Sequence, residues 1–125
     1  MNWTATGAMV MALGVGMGAF GAHALKGRLD AYSMAVYEKA VFYHFIHGLG
    51  ILLVALLART NAITATGQGR VAGLLLIGIV VFSGSLYALA LTGVRVLGAI
   101  TPLGGIAFLA GWILLAWEAL RRAGA

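Results

Sequence analysis

His23, His44 and His47 carry most of the chemical promise in this sequence, and Ser83, Ser85, Tyr87, Arg95 and Thr101 are the polar groups that accompany them. Neutral imidazoles are common zinc ligands, so the three histidines are a candidate metal set, although no cysteine supports it and an i,i+3 pair arises easily by chance. An imidazole also titrates near physiological pH, which suits a proton-handling site at membrane depth. The plainest role is hydrogen bonding across helices to Ser85, Tyr87 or backbone carbonyls. Arg95 and Lys26, with the N-terminus of a helix starting at Pro102, would favour a phosphate or carboxylate group, for which a lipid headgroup is the simplest source. The same basic side chains also suit snorkelling to an interface. No nucleophile, acid and base fall into a catalytic spacing, and Glu38 is the one acidic residue near the group, so the reading is non-enzymatic.

The elements that must position these residues follow from composition. The chain has 125 residues, of which 62% are hydrophobic and 9% charged, and this excludes an ordinary water-soluble domain. Lipid as solvent removes the need for a charged exterior. The net charge of +5 is spread over the ends of the apolar segments rather than gathered on one face, which argues against a nucleic-acid partner and for phospholipid headgroups. With no cysteine, disulfides and thiolate chemistry are excluded.

Four runs free of charged side chains, about 3–22, 40–58, 71–94 and 96–117, each match the length needed to cross a ~30 Å hydrocarbon core. The expected architecture is one domain, 1–125, an all-α bundle of four transmembrane helices with short loops. Ala22-His23-Ala24 has the form of a signal-peptide cleavage site, but no Lys or Arg precedes the first run, so that helix is expected to be retained. Leu29-Asp30 followed by Met34 predicts an N-cap at Asp30 with a hydrophobic staple, which makes the start of span two a juxtamembrane extension. Residues 59–70 read as a polar turn with basic anchors. Thr92-Gly93-Val94-Arg95 forces spans three and four into a hairpin, and Thr101-Pro102 offers an N-cap and first-turn proline after an irregular stretch at 96–100.

This topology places His23, His44, His47, Tyr87, Arg95 and Thr101 towards one side of the membrane, as a polar cluster. At about 100° per residue, Tyr37, His44 and His47 share a face and Glu38 lies off it, so Glu38 is expected to pair with Lys26, Lys39 or Arg95. Trp3, Trp112 and Trp117 read as interfacial anchors. Gly7, Gly14, Gly18 and Gly21 form a stripe on span one, and Gly69 with Gly73 and Ala107 with Gly111 repeat the small-xxx-small pattern, faces that serve packing within the chain or a homo-oligomer.

Gly18-Ala19-Phe20-Gly21-Ala22-His23-Ala24-Leu25, Tyr43-His44 with His47, Ser83-Gly84-Ser85-Leu86-Tyr87 and Leu97-Gly98-Ala99-Ile100-Thr101-Pro102-Leu103-Gly104-Gly105 occur in an order that resembles a family of small bacterial inner-membrane proteins. That family is grouped as a domain of unknown function and is related to eukaryotic transmembrane protein 256. The resemblance covers nearly the whole chain and implies a four-helix fold in the cytoplasmic membrane, without an activity or a cofactor. In the family pattern the position of His44 is often glutamine, a poor zinc ligand, which weakens a three-histidine metal site; His23 and His47 match the pattern better.

The resulting expectation is a structural or lipid-interacting component of the inner membrane, with both termini cytoplasmic, membrane lipids as partners and no cofactor. An oligomeric transporter or proton-coupled channel is the alternative.

Overall fold

Span two sets the frame of the computed structural model, which describes residues 1–125. Its helix, α2, runs Ala31–Arg59, and it starts where the sequence provides a cap: the Asp30 carboxylate accepts a hydrogen bond from the Ser33 backbone N–H at 2.7 Å. Leu29 and Met34 both pack on the small cluster of Leu25, Tyr37 and Ala90. The other elements are α1 (Trp3–Phe20) with a π-helical end at Gly21–Leu25, and α3 (Ala65–Gly78), which passes through a π-helical turn at Ile79–Ser83 into α4 (Gly84–Thr92). A 3₁₀ turn at Arg95–Ala99 then leads into α5 (Thr101–Ala123). Joined through their irregular turns, they make four helices long and apolar enough to cross a membrane: Trp3–Leu25, Ala31–Arg59, Ala65–Thr92 and Arg95–Ala123.

Several boundaries differ from the sequence reading. Span one continues past Ala22 to Leu25. Span three begins at Ala65, because Thr64 caps it by accepting from the Gly67 N–H at 2.9 Å; Thr66 to Gly69 is therefore helix rather than turn. The connection shrinks to a tight turn in which Asn61 takes the left-handed conformation (φ 59°). Gly93 ends α4 with φ 72°, its N–H returning to the Leu89 carbonyl at 2.8 Å. Residues before α5 are irregular, as the sequence indicated, but Thr101 is not the cap. It is the first helical residue, and its hydroxyl lies 2.6 Å from that of Ser85 on span three.

The helices are unequally embedded in one another. α1 packs on α2 and has little contact with α3 or α5, whereas α3 and its π turn lie between α2 and α5. In the most apolar stretch of span one, 17% of residues are buried inside the protein, against 44% in spans two and three, so span one is the outlying helix. The main core, Ile51, Val54, Ile63, Val71, Ala72, Leu75, Ile79 and Phe108, belongs to spans two, three and four and the 60–64 connection. Since lipid is as apolar as these side chains, the helices are held by close packing and interhelical hydrogen bonds rather than by escape from water. Two glycines show how close that packing is. A Cβ on Gly104 would stand 2.4 Å from the Phe82 backbone nitrogen, and one on Gly78 would meet the Phe108 ring at 2.3 Å. By contrast, nothing lies within 4 Å of a Cβ built on Gly69 or Gly73, so that glycine pair seats no helix of this chain.

Candidate functional site

The polar residues separate into distinct groups. His44 is buried at the junction of three spans: its Nε2 is 2.9 Å from the Val10 carbonyl on span one and its Nδ1 2.9 Å from the Tyr87 hydroxyl on span three. A carbonyl only accepts, so Nε2 carries the proton and Nδ1 accepts from the Tyr87 O–H. Both ring nitrogens of a neutral imidazole are thereby used. Nearby, Tyr37 donates to the Met17 carbonyl, which ties the C-terminal end of span one to span two. Its ring passes where Gly21 leaves room; a Cβ there would lie 2.4 Å from it.

His47 faces elsewhere. It donates from Nδ1 to the Tyr43 carbonyl at 2.8 Å and stacks on Phe108 with ring centroids 3.5 Å apart and planes 11° from parallel. No buried side-chain nitrogen or oxygen lacks a partner, so its Nε2 opens onto the groove that it lines as a free acceptor. His23 sits exposed on the π-helical end of span one and makes no hydrogen bond with the others. Arg95 is exposed too, its guanidinium 5.8 Å above the Tyr32 ring centroid, a cation–π contact. The expected single cluster of His23, His44, His47, Tyr87, Arg95 and Thr101 is thus replaced by a His44–Tyr87 pair, a Ser85–Thr101 pair, a stacked His47 and two exposed residues. The three histidines do not converge, and no group of acidic, histidine or cysteine side chains forms a metal-binding set. The π-helical end of span one accounts for His23 alone; His44 and His47 stand about 60° apart on the regular α2 and meet different neighbours, the first spans one and three, the second span four.

Glu38 makes none of the expected ion pairs with Lys26, Lys39 or Arg95: it is exposed, with no cation within 4.0 Å. Lys39, the next residue and about 100° round α2, lines a different groove, and Arg95 is engaged with Tyr32. Trp112 is no interfacial anchor, since it packs over Gly50 beside His47.

Between spans two and four runs a groove open to the surrounding lipid. Its upper part, about 510 Å³, is lined by Tyr32, Lys39, Tyr43, Phe82, Thr101 and Pro102. The lower part, about 420 Å³, shares Tyr43, Phe82 and Pro102 and continues past His47 and Phe108 to Trp112. Tyr32 to His47 spans about 22 Å of helix by its rise. The groove therefore combines one lining cation at its mouth, Lys39, with Arg95 beside it over the outer lining residue Tyr32, and a long aromatic floor. Neither Lys26 nor Arg95 is itself a lining residue, and Arg95 is tied to the groove through Tyr32.

Sequence reasoning missed Glu118. This carboxylate is buried on the face of the termini, where the Thr64 hydroxyl donates to it at 3.3 Å. It stands at the N-terminus of α3, the favourable end of a helix for an anion, and only Gly67 admits it: a Cβ there would lie 2.7 Å from the carboxylate. An acidic residue following Trp117 at the end of an apolar run was the available signal.

Fold and lining together define a multi-pass helical membrane protein. Residues 17–105 match the family DUF423, "Protein of unknown function". A UPF0382 membrane protein of Staphylococcus haemolyticus is 50% identical over 109 residues, 87% of each chain, and one of Staphylococcus epidermidis is 50% identical over 118 residues, 94% of each. One from Bacillus subtilis is 46% identical over 116 residues, 92% of this chain and 93% of the relative. The chain belongs to this family of bacterial membrane proteins. No solved structure matches it.

Proposed function

We propose that this protein is a non-enzymatic, lipid-interacting component of the cell membrane, and that the groove between spans two and four seats an anionic phospholipid. The observation that carries this reading is the order of groups along the groove: cations at the mouth, then hydroxyl and aromatic groups, then an apolar floor. A phosphate or glycerol headgroup would meet Lys39 and Arg95, with an acyl chain lying along Tyr43, Phe82 and Phe108. Transport finds less support, because His44, the histidine at the junction of three spans, spends both ring nitrogens within the protein.

The proposal also keeps both termini on the cytoplasmic side. Lys39 and Arg95 are drawn to the groove, which leaves Lys26 and Arg28 free on its side of the membrane against Arg59, Arg70, Arg121 and Arg122 on the side of the termini. The groove mouth then belongs to the outer leaflet.

The test is native mass spectrometry of the protein released from nanodiscs of mixed phosphatidylglycerol and phosphatidylcholine. Retained phosphatidylglycerol should fall several-fold in K39Q/R95Q and stay near wild type in K26Q/R28Q, which removes the same charge away from the groove. Equal losses in the two variants would reduce the effect to net charge and defeat the proposal.

A further inference from the structure

Lys39 has a neighbour of opposite sign, and the two residues face different grooves. Glu38 stands at the mouth of a cavity of about 340 Å³ between spans one and two, lined below it by Val41, Phe42 and Phe45 and walled on span one by Gly18 and Gly21. Gly18 leaves the slot open beside Val41 and Phe45, which a Cβ there would touch at 3.7 and 3.8 Å, while the room at Gly21 is taken by the Tyr37 ring. The polar group lies at the outer end and the apolar lining continues one to two turns deeper, the order in which a membrane amphiphile is arranged.

The other two acidic residues have structural work: Asp30 caps α2, and Glu118 is buried against Thr64 and the start of α3. Glu38 has none, for no hydrogen bond or ion pair of the protein takes up its carboxylate. An anion held at the interface above an apolar slot complements a cation on an alkyl chain.

We infer that the groove between spans one and two is a second amphiphile site, selective for a single alkyl chain bearing a cationic amine, with Glu38 holding the head and Val41, Phe42 and Phe45 the chain. The site is independent of the groove between spans two and four. Its selectivity opposes the overall field of the protein: a chain of net charge +5 repels amines and attracts fatty acids by long-range electrostatics alone.

Electron paramagnetic resonance of spin-labelled stearylamine, stearic acid and methyl stearate tests this with the full chain in phosphatidylcholine vesicles. Phosphatidylcholine already offers a quaternary ammonium within a zwitterion, so enrichment must exceed that background. The motionally restricted fraction of the amine should exceed that of the ester roughly threefold, the size an exposed ion pair supplies. E38Q, an exposed substitution that leaves packing intact, should bring the ratio to one, and K39Q should leave it unchanged. Ala22→Phe, at the exposed rim of the same groove, should remove the restricted component of amine and ester alike. Exclusion of the amine from the wild-type protein, or enrichment that survives E38Q, would overturn the inference. So would stearic acid as the preferred probe, which would make the groove an ordinary lipid seat governed by net charge, or restricted amine undiminished in Ala22→Phe, which would place it on another surface.

Discussion

The two sides of span two are built on different principles. Towards span one, contact is made by polar side chains that reach backbone carbonyls, His44 to Val10 and Tyr37 to Met17, across a seam opened by glycines. Towards spans three and four, hydrogen bonds are also present, Ser83 to the Ala40 carbonyl at 2.8 Å and Tyr87 to His44, but they are embedded in packed rings. His47 lies on Phe108, Tyr43 lies 4.3 Å from Phe82 between ring centroids, and Gly104 brings α5 against the Phe82 backbone behind them. The first attaches one helix to a single neighbour, with side chains as the atoms that a Cβ on Gly7, Gly21 or Gly48 would meet; the second interlocks three helices and, at Gly104, sets backbone against backbone. A membrane helix gains nothing from hiding apolar surface from lipid, so the difference decides which helices form a fixed frame and which one is attached to it.

The sharpest way to break the comparison is to add volume on each side. Gly104→Val should lose about 3 kcal/mol or fail to assemble, because the atom it would strike is backbone and cannot rotate away. Gly18→Ala, whose Cβ would stand in ordinary contact with Val41 and Phe45 of span two at 3.7 and 3.8 Å, should leave stability in a thermal or detergent-unfolding assay unchanged. If the two variants behave alike, the frame is not where the structure places it.

Next in size is the polar tie to span one. His44→Ala leaves the Tyr87 hydroxyl without its acceptor and should cost about 2 kcal/mol, the scale of a buried polar group left unpaired. Glutamine at the same position offers an amide N–H to Val10 and a carbonyl to Tyr87, so His44→Gln should recover most of that loss. A glutamine variant as unstable as the alanine one would mean that His44 does more than bridge.

The smallest effect concerns pH. The Ser33 backbone N–H, and then its hydroxyl and the positive field of Arg95, hold the Asp30 carboxyl below its ordinary value of 3.8. A group with a depressed folded pKa contributes stability above its unfolded value and loses it as pH falls through the folded one. Amide-exchange protection in the first turn of α2 should therefore be constant above pH ~5 and decline below pH ~4. The substitution Asp30→Asn keeps a capping oxygen without a titrating group and should abolish that dependence.

Much of the frame was legible in the sequence. Charge-free runs gave the number and order of spans, and Asp30 marked the start of α2 because a capping carboxylate before an apolar run has a local cause. The irregular approach to α5 was legible for a similar reason, in Gly93, Thr101 and Pro102. The start of α3 was not, since Thr66 to Gly69 has turn composition, and its helix depends on Thr64, Gly67 and a carboxylate fifty-four residues away. In the candidate site, His44 and Tyr87 share a layer that helix length alone sets, so their meeting could be anticipated. His23 could not be placed, because the π-helical end of span one turns it out of regular phase. The grooves have no local signature at all: they are spaces between helices that only relative packing defines.

The claim that an anionic lipid lies along spans two and four is tested most directly at Trp112, which lines the floor of that groove. In a chain carrying W3F and W117F, Trp112 is the sole tryptophan, and phospholipids brominated on the acyl chain quench it only from within contact distance. Brominated phosphatidylglycerol should quench it more strongly than brominated phosphatidylcholine at equal mole fraction, and K39Q/R95Q should remove the difference. Equal quenching by the two lipids, or a preference untouched by K39Q/R95Q, would contradict the account.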